Sequence, residues 1–236
     1  MYLDLSYLIF VLPALLLSIW ASSAVKSRFA KYDRIPVKKG VTGAQAAQIL
    51  LRANGINDVK IARIGGCLTD NYNPTTKTLS LSDATYSSSS IAAVGVAAHE
   101  TGHAIQHNKG YFPAKLRKGV VVFSNAVSVL LWPLVFIGIM YNFVWFDGVV
   151  GSIFLWSGIG FFGIAVILNL VTLPVEYNAS NRALAILEQT GILDSTELPG
   201  CKKVLRAAGL TYVASLVMSI LILLRFVLLA FAGRQK

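Results

Sequence analysis

Residues 91–106 read IAAVGVAAHETGHAIQ, a stretch that predicts one buried helix. The serine run at 87–90 before it is typical of a loop that leads into a helix N-terminus. His99 and His103 are four residues apart, which places both imidazoles on one helix face, one turn apart. Small residues flank them, as a helix packed closely beneath a metal site requires.

The composition places this helix in a membrane protein. Of the 236 residues, 55% are hydrophobic and 14% are charged, and the mean hydropathy is +0.64. A soluble protein of this size needs more polar surface. Four stretches reach the about 20 apolar residues that cross a bilayer, and they are Leu5–Val25, Val120–Val144, Val149–Leu173 and Leu210–Ala232. Because a basic run follows the first stretch, we interpret it as a retained anchor and not as a cleaved signal.

Lysine and arginine residues indicate how these spans are oriented. Residues 26–118 carry 14 of the 21 basic residues and residues 173–209 carry 4, whereas the short loop around Asp147 carries none. By the positive-inside rule, both polar segments face the cytoplasm, and the N-terminus, the short loop and the C-terminal tail lie outside. Arg234 and Lys236 in the tail oppose this orientation, but the larger asymmetry outweighs them.

These features predict an α+β membrane protein with about four transmembrane helices and a cytoplasmic domain of helices and a small sheet. The predicted segments are a transmembrane helix at 1–25, a cytoplasmic segment at 26–118, a transmembrane hairpin at 119–173, a second cytoplasmic segment at 174–209 and a fourth transmembrane helix with a tail at 210–236.

Shorter patterns predict the elements of the two polar segments. Thr42 and Gln45 form a capping box for a helix at Gly43–Asn54. Val59–Ile64 reads as a strand, and the alternation at Lys77–Ser82 predicts a second, half-exposed strand. The later segment predicts one helix over residues 175–188 and another over residues 199–208.

Charge and cysteine content exclude other classes of protein. The net charge of +10 would suit nucleic-acid binding, but the basic residues cluster beside apolar spans, so we expect no nucleic-acid partner. Cys67 and Cys201 are far apart and form no CxxC, which argues against a disulfide framework and fits a reducing compartment. Arg225 lies inside the fourth span, where a charge is either functional or, as we favour, extends toward the outer face.

The residues His99-Glu100-Thr101-Gly102-His103 carry the pattern of two zinc ligands and a base. Two neutral imidazoles suit Zn²⁺, and Glu100 is placed to take a proton from a metal-activated water. A random chain of this size would contain the pattern in about 1% of cases or less. All three histidines of the chain lie within nine residues. We therefore predict one bound zinc ion, with His99 and His103 as ligands and Glu100 as the catalytic base.

A catalytic zinc needs a third protein ligand and leaves its fourth position to water. His107 lies about 80° round the helix from His99, so it fits the surroundings of the site or the surface better than coordination. An Asp, Glu or Cys then remains, and Glu176 is the best candidate. Alternatively, Glu176 is a favourable charge in the first turn of a helix. Ser180, one turn further along the same face, is placed to hydrogen-bond a ligand histidine.

An oxyanion-stabilising partner is also expected near the proposed third ligand. Tyr177, Asn181 and Arg182 lie there, and Arg182 is our choice, with a solvated helix charge as the alternative.

Three stretches resemble the YugP-like neutral zinc metallopeptidases of bacterial membranes. They are residues 92–107 (AAVGVAAHETGHAIQH), residues 70–74 (DNYNP) and residues 173–180 (LPVEYNAS), and the resemblance extends over nearly the whole chain. More distantly, the chain is similar to the HtpX-type membrane gluzincins, whose third ligand is a Glu in a Glu-x-x-x-Asp pattern after a membrane hairpin. This mapping implies that Glu176 is the third ligand, whereas Ser180 stands where that pattern has Asp.

The resemblance also implies a gluzincin-like domain in which the strand before the zinc helix binds substrate backbone by its edge. The residues of that strand here are Lys77, Thr78, Leu79, Ser80, Leu81 and Ser82. An ordinary sheet strand is the alternative.

The sequence thus predicts a membrane-embedded zinc-dependent endopeptidase that hydrolyses peptide bonds at the cytoplasmic face of a bacterial cell membrane. A peptide or membrane-protein substrate and a role in membrane protein quality control are expected. The alternatives are a catalytically inactive zinc-binding scaffold or adaptor, a transporter, and a peptidase whose site lies within the bilayer. Glu100 argues against a scaffold, which needs no base. The large polar insertion argues against a transporter, and the polar residues at 70–90 argue against an intramembrane site.

Overall fold

A computed structural model describes residues 5–123 and 148–232 of the chain. As far as it describes them, the residues form two compact units. The first unit comprises the described residues of Met1–Trp20, Leu116–Thr172 and Tyr212–Lys236, and the second comprises Ala21–Lys115 and Leu173–Thr211. The second unit therefore combines most of the two polar segments that the sequence predicts to be cytoplasmic.

The described chain is mostly helical and contains one small mixed sheet. In chain order its elements are a π-helix at Tyr7–Val11, α1 (Leu12–Asp33), α2 (Gly43–Ala53), β1 (Lys60–Ile64), β2 (Asn71–Asn73), β3 (Thr78–Ser82), α3 (Asp83–Tyr86), α4 (Ile91–Asn108), α5 (residues 112–123), α6 (Gly148–Gln189) and α7 (Leu198–Ala232).

By length and composition, three helices of the described ranges can cross a membrane, at Tyr7–Asp33, Trp156–Gln189 and Leu198–Leu228. They contain most of the predicted first, third and fourth spans. Each is longer than the about 20 residues that a bilayer requires, so part of each helix extends beyond its span. The predicted second span, Val120–Val144, lies outside the described residues apart from its first four.

Two helices are longer than the sequence predicts. Separate helices over residues 175–188 and 199–208 were expected, but α6 continues through Pro174 to Gln189 and α7 continues from Leu198 through the fourth span. Proline usually ends a helix because it lacks an N–H and its ring crowds the preceding turn, yet helices of membrane proteins tolerate it. Glu176 is therefore inside a helix, and the interpretation of it as a first-turn charge is wrong.

Helix α4 is the centre of the second unit. Its start is fixed by Ser90, whose Oγ accepts a hydrogen bond from the backbone N of Ala93 at 3.1 Å. One part of its surface packs against α2, α6 and α7 in an apolar core. Another part, at Ala97, packs against Leu79 and Leu81 of β3. The predicted capping box of α2 is also present, since Thr42 and Gln45 each bond the other's backbone N–H.

The sheet has the order β1-β3-β2. β3 pairs in parallel with β1 along its whole length and antiparallel with β2 from Thr78 to Ser80. Beyond β2, the carboxylate of Asp70 accepts hydrogen bonds from N and Oγ of Ser82. The prediction that the strand at Lys77–Ser82 offers a free edge to substrate is therefore wrong. The reason is β2, a three-residue strand that its polar, turn-like sequence did not indicate.

Arg225 belongs to the first unit and is buried, with 7% of its surface exposed. Its Nε donates a hydrogen bond to Oγ of Ser6 at 2.9 Å, and its guanidinium carbon lies 3.7 Å from the ring centroid of Tyr7. A hydrogen bond and a cation–π contact to the N-terminal helix stabilise the charge. Both partners lie at the start of the predicted first span, and the extension of this side chain toward the outer face stays a prediction.

Candidate metal centre

Helices α4 and α6 bring three metal-ligating side chains together. Nε2 of His99 lies 3.2 Å from Oε2 of Glu176, and Nε2 of His103 lies 3.4 Å from the same oxygen. One ligand atom from each residue lies within 4.8 Å of the other two. Glu176 is 77 positions from His99 in the sequence, so only the packing of α6 against α4 completes the cluster.

The two separations from the carboxylate oxygen fit a zinc ion. Zinc bonds to nitrogen and oxygen are about 2.0–2.2 Å long, which places the ligand atoms of a tetrahedral site about 3.3–3.6 Å apart. The two separations from the carboxylate, 3.2 and 3.4 Å, agree with this spacing. Two imidazoles and one carboxylate are also a donor set of catalytic zinc sites, which keep one position for water.

The carboxylate of the cluster is held in its ionised form. The Glu176 side chain is 2% exposed and lies beyond the predicted third span, Val149–Leu173. Burial opposes its ionisation, but hydrogen bonds from His103 and His99 outweigh burial and hold the pKa of Glu176 below its usual range. Burial lowers the pKa of His103, yet its hydrogen bond to Glu176 and the charge of Glu100 raise that pKa overall. The second unit thus provides an ionised carboxylate, as metal coordination requires.

Small side chains allow α4 to pack closely on its neighbours. Ala97, Ala98 and Ala104 around the motif, and Ala179 on α6, are each at most 1% exposed. The helix of the motif is therefore closely packed on its neighbours, as its sequence indicates.

Glu100 follows the first ligand on α4 and is half-buried. Within residues 5–123 and 148–232, its carboxylate accepts no hydrogen bond. Its negative charge acts on His103, so it lies close to the cluster. A carboxylate that is near the ligands and not engaged by other donors is suited to accept a proton.

Ser180 lies where the sequence places it, beside a ligand histidine. Its Oγ is 3.1 Å from Nδ1 of His99, one helical turn after Glu176. The hydroxyl can accept a hydrogen bond from Nδ1, which leaves Nε2 of His99 directed at the cluster. One turn of α6 therefore supplies both a candidate ligand and a group that orients another ligand.

Gln106 holds the second histidine, and sequence analysis did not identify it. Its Oε1 lies 3.0 Å from Nδ1 of His103, and its side chain is buried. The signal was available, because residues three apart on a helix are neighbours. The histidine pattern alone does not indicate a role for this glutamine.

Two other candidate residues contact side chains other than the three candidate ligands. His107 is exposed, and its Nδ1 lies 3.0 Å from the hydroxyl of Tyr72 on β2. Arg182 donates from Nε to Oδ1 of Asn178 at 2.7 Å, and its guanidinium carbon lies 5.9 Å from the ring centroid of Tyr111. On an α-helix it lies about 120° round from Glu176, so it does not share the face of the ligand.

Comparison with known proteins agrees with this site. Residues 7–231 match the model of a family described as "Putative neutral zinc metallopeptidase". The chain is also 41% identical over 231 residues to "Putative membrane protease YugP" of Bacillus subtilis (strain 168), an alignment that covers 98% of this chain and 99% of that protein. No solved structure matches significantly. These matches confirm the resemblance that the motif residues indicate, and the chain belongs to the neutral zinc metallopeptidase family.

Proposed function

We propose that this protein is a membrane-embedded, zinc-dependent endopeptidase of gluzincin type. The observation that carries the proposal is the convergence of His99, His103 and Glu176 within 4.8 Å, with Glu100 next to the first ligand on the same helix. Three ligands and an adjacent free carboxylate are the components of hydrolysis by a metal-activated water.

The protein side chains have different roles in the proposed reaction. His99, His103 and Glu176 would hold the zinc ion, which when bound acts as a Lewis acid and lowers the pKa of a water toward about 7. Glu100 accepts the proton of the attacking water and delivers it to the nitrogen of the leaving amine. Ser180 and Gln106 keep the two imidazoles oriented. The half-buried position of Glu100 keeps its carboxylate accessible to water.

The site is proposed to lie at the cytoplasmic membrane face of a bacterial cell. The support is the concentration of Lys and Arg in the polar segments and the position of Glu176, three residues after the predicted third span. The exposed Cys67 of the second unit provides a test with the natural chain. A membrane-impermeant maleimide should label Cys67 in inverted vesicles and leave it unlabelled in intact cells, and the reverse result would refute this orientation.

The substrates proposed are extended cytoplasmic segments of membrane proteins, including misfolded ones. β3 is paired on both sides and therefore has no free edge. β2 lies next to α4, and among the described residues it pairs with β3 alone. An extended peptide can add to such an edge through backbone hydrogen bonds. Such pairing depends on the peptide backbone and little on the side chains. It therefore suits a peptidase that acts on many different substrates in membrane protein quality control.

Cleavage of a casein-type substrate by the purified protein tests the proposal. We expect cleavage that a zinc chelator abolishes and that added Zn²⁺ restores. A protein that retains one equivalent of zinc but cleaves neither casein nor an unfolded membrane-protein segment would instead be the inactive scaffold.

A further inference from the structure

A chain of hydrogen bonds connects His103 to an arginine on the neighbouring helix. Oε1 of Gln106 lies 3.0 Å from Nδ1 of His103. Nε2 of Gln106 donates to the carbonyl oxygen of Val175 at 2.8 Å and to Oδ1 of Asn178 at 3.0 Å. Nε of Arg182 donates to the same Oδ1 at 2.7 Å. The chain thus crosses from α4 to α6 on the side of α4 that holds the second ligand.

The guanidinium of Arg182 and the carbonyl of Val175 fix the direction of each of these hydrogen bonds. A guanidinium can only donate, so the atom of Asn178 that faces Arg182 is the amide oxygen. A backbone carbonyl can only accept, so the atom of Gln106 that faces Val175 is the amide nitrogen. Both hydrogens of that nitrogen are then used. The amide oxygen of Gln106 must therefore face His103. If the amide were turned over, this oxygen would face two other acceptors, the carbonyl oxygen of Val175 and Oδ1 of Asn178.

The orientation of Gln106 selects one tautomer of His103. An acceptor beside Nδ1 keeps a hydrogen on Nδ1, so the nitrogen that can bind a zinc ion through its lone pair is Nε2. Nε2 is the atom that lies 3.4 Å from Oε2 of Glu176. Because Gln106 is 1% exposed, water does not readily replace it. His103 is therefore presented in the tautomer that a zinc ligand needs.

We propose that Gln106 is a positioning residue that fixes the tautomer and ring orientation of His103 for zinc binding. Asn178 and Arg182 hold the amide of Gln106 in the required orientation. Arg182 thereby acts on the metal ligand through two amides. The inference rests on the zinc site of the proposed function, and its test measures metal binding and imidazole chemistry rather than peptide cleavage.

The first variant is Gln106→Met, which keeps the length of the side chain and removes the acceptor and both donors. Zinc affinity of the detergent-purified, full-length protein is measured by competition with a chelator. Loss of the partner of a ligand histidine typically costs 10–100-fold in metal affinity, and we expect a loss in that range. Gln48→Met, an exposed change on α2, is the matched control and should bind zinc as the wild type does.

The second measurement follows the imidazoles directly. The chain has three histidines, so ¹⁵N-histidine labelling gives three rings for ¹H–¹⁵N spectra of the zinc-saturated protein. The Nδ1–H signal of His103 should lie downfield and exchange slowly with water in the wild type, and should move upfield and exchange faster in Gln106→Met, while His107 is unchanged. If Gln106→Met does not fold, Arg182→Met serves instead and should shift the His103 signals in the same direction.

Zinc affinity within threefold of wild type in folded Gln106→Met, or an unchanged Nδ1–H signal of His103 in either folded variant, would overturn the proposal. Failure of the proposed function looks different. Zinc binding that depends on Gln106, in a protein that never cleaves peptides, would leave this inference standing and refute the peptidase.

Discussion

Gly102 of α4 faces the backbone of Ala179 of α6 so closely that a Cβ at position 102 would lie 2.6 Å from the Ala179 carbonyl oxygen. Real Cβ atoms do not approach a backbone oxygen to that distance. This glycine lies between His99 and His103, so the lack of a side chain allows α4 to approach α6, which carries the third candidate ligand.

Gly102→Ala should push α4 away from α6 and weaken the metal centre. Alanine favours the helix by about 1 kcal/mol over glycine, but overpacking a tight contact typically costs about 1–3 kcal/mol, and here the obstacle is backbone. We expect a modest net loss of stability and a protein that retains little zinc after dialysis. Gly119→Ala, where a Cβ meets nothing within 4 Å, should keep wild-type zinc and stability. Normal zinc content in Gly102→Ala would show that the contact does not set the site.

Glu176→Ala should remove the third ligand. We expect zinc content, measured by inductively coupled plasma mass spectrometry, to fall from about one equivalent to well below half. Glu188→Ala changes an exposed carboxylate on the same helix and should have no effect. Equal zinc in the wild type and in Glu176→Ala would refute the ligand assignment.

Ser180→Ala should weaken zinc binding through His99. The hydroxyl lies 3.1 Å from Nδ1 of His99, and loss of such a partner typically costs 10–100-fold in metal affinity. Chelator competition should give a value near the lower limit, because a serine is a neutral partner. The exposed neighbour Asn181 provides the control, Asn181→Ala. An affinity of Ser180→Ala equal to that of this control would mean that Ser180 does not orient the ligand.

The two cysteines should differ sharply in reactivity. Cys201 is buried against Gly95, where an added Cβ would lie 2.8 Å from its Sγ, and burial raises the pKa of its thiol to about 12. Because the thiolate is the reactive form, Cys201 should resist N-ethylmaleimide in the native protein even at mildly alkaline pH, whereas the exposed Cys67 reacts. Mass spectrometry should show one label before denaturation and two after it. Two labels on the native protein would contradict the packing of α7 on α4.

Local signals predicted the elements of the second unit well. Thr42 and Gln45 give the start of α2, and the motif helix follows from its small residues and its histidine spacing. The presence of β3 followed from alternation, but its central place in the sheet did not. That place depends on β2, whose three residues Asn71–Asn73 have turn-like side chains and form a strand only by pairing with β3.

Contacts between distant segments explain the remaining differences. A separate helix was predicted from residue 175, but α6 continues through Pro174, which helices of membrane proteins tolerate. Gln106 lies on the predicted motif helix, three residues after His103. Its partners Val175 and Asn178 are on another helix. The family resemblance supports Glu176 as the third ligand. Its distance from the motif in the sequence does not by itself indicate that the two lie close together.

The replacement of Glu100 by glutamine tests the central claim most directly. Glu100→Gln keeps the shape of the side chain and removes its ability to accept a proton, while His99, His103 and Glu176 are untouched. Zinc content and cleavage of a casein-type substrate are measured on the same purified sample. The account predicts about one equivalent of zinc, as in the wild type, and a loss of cleavage by at least 100-fold. Full cleavage by a zinc-loaded Glu100→Gln protein would contradict it.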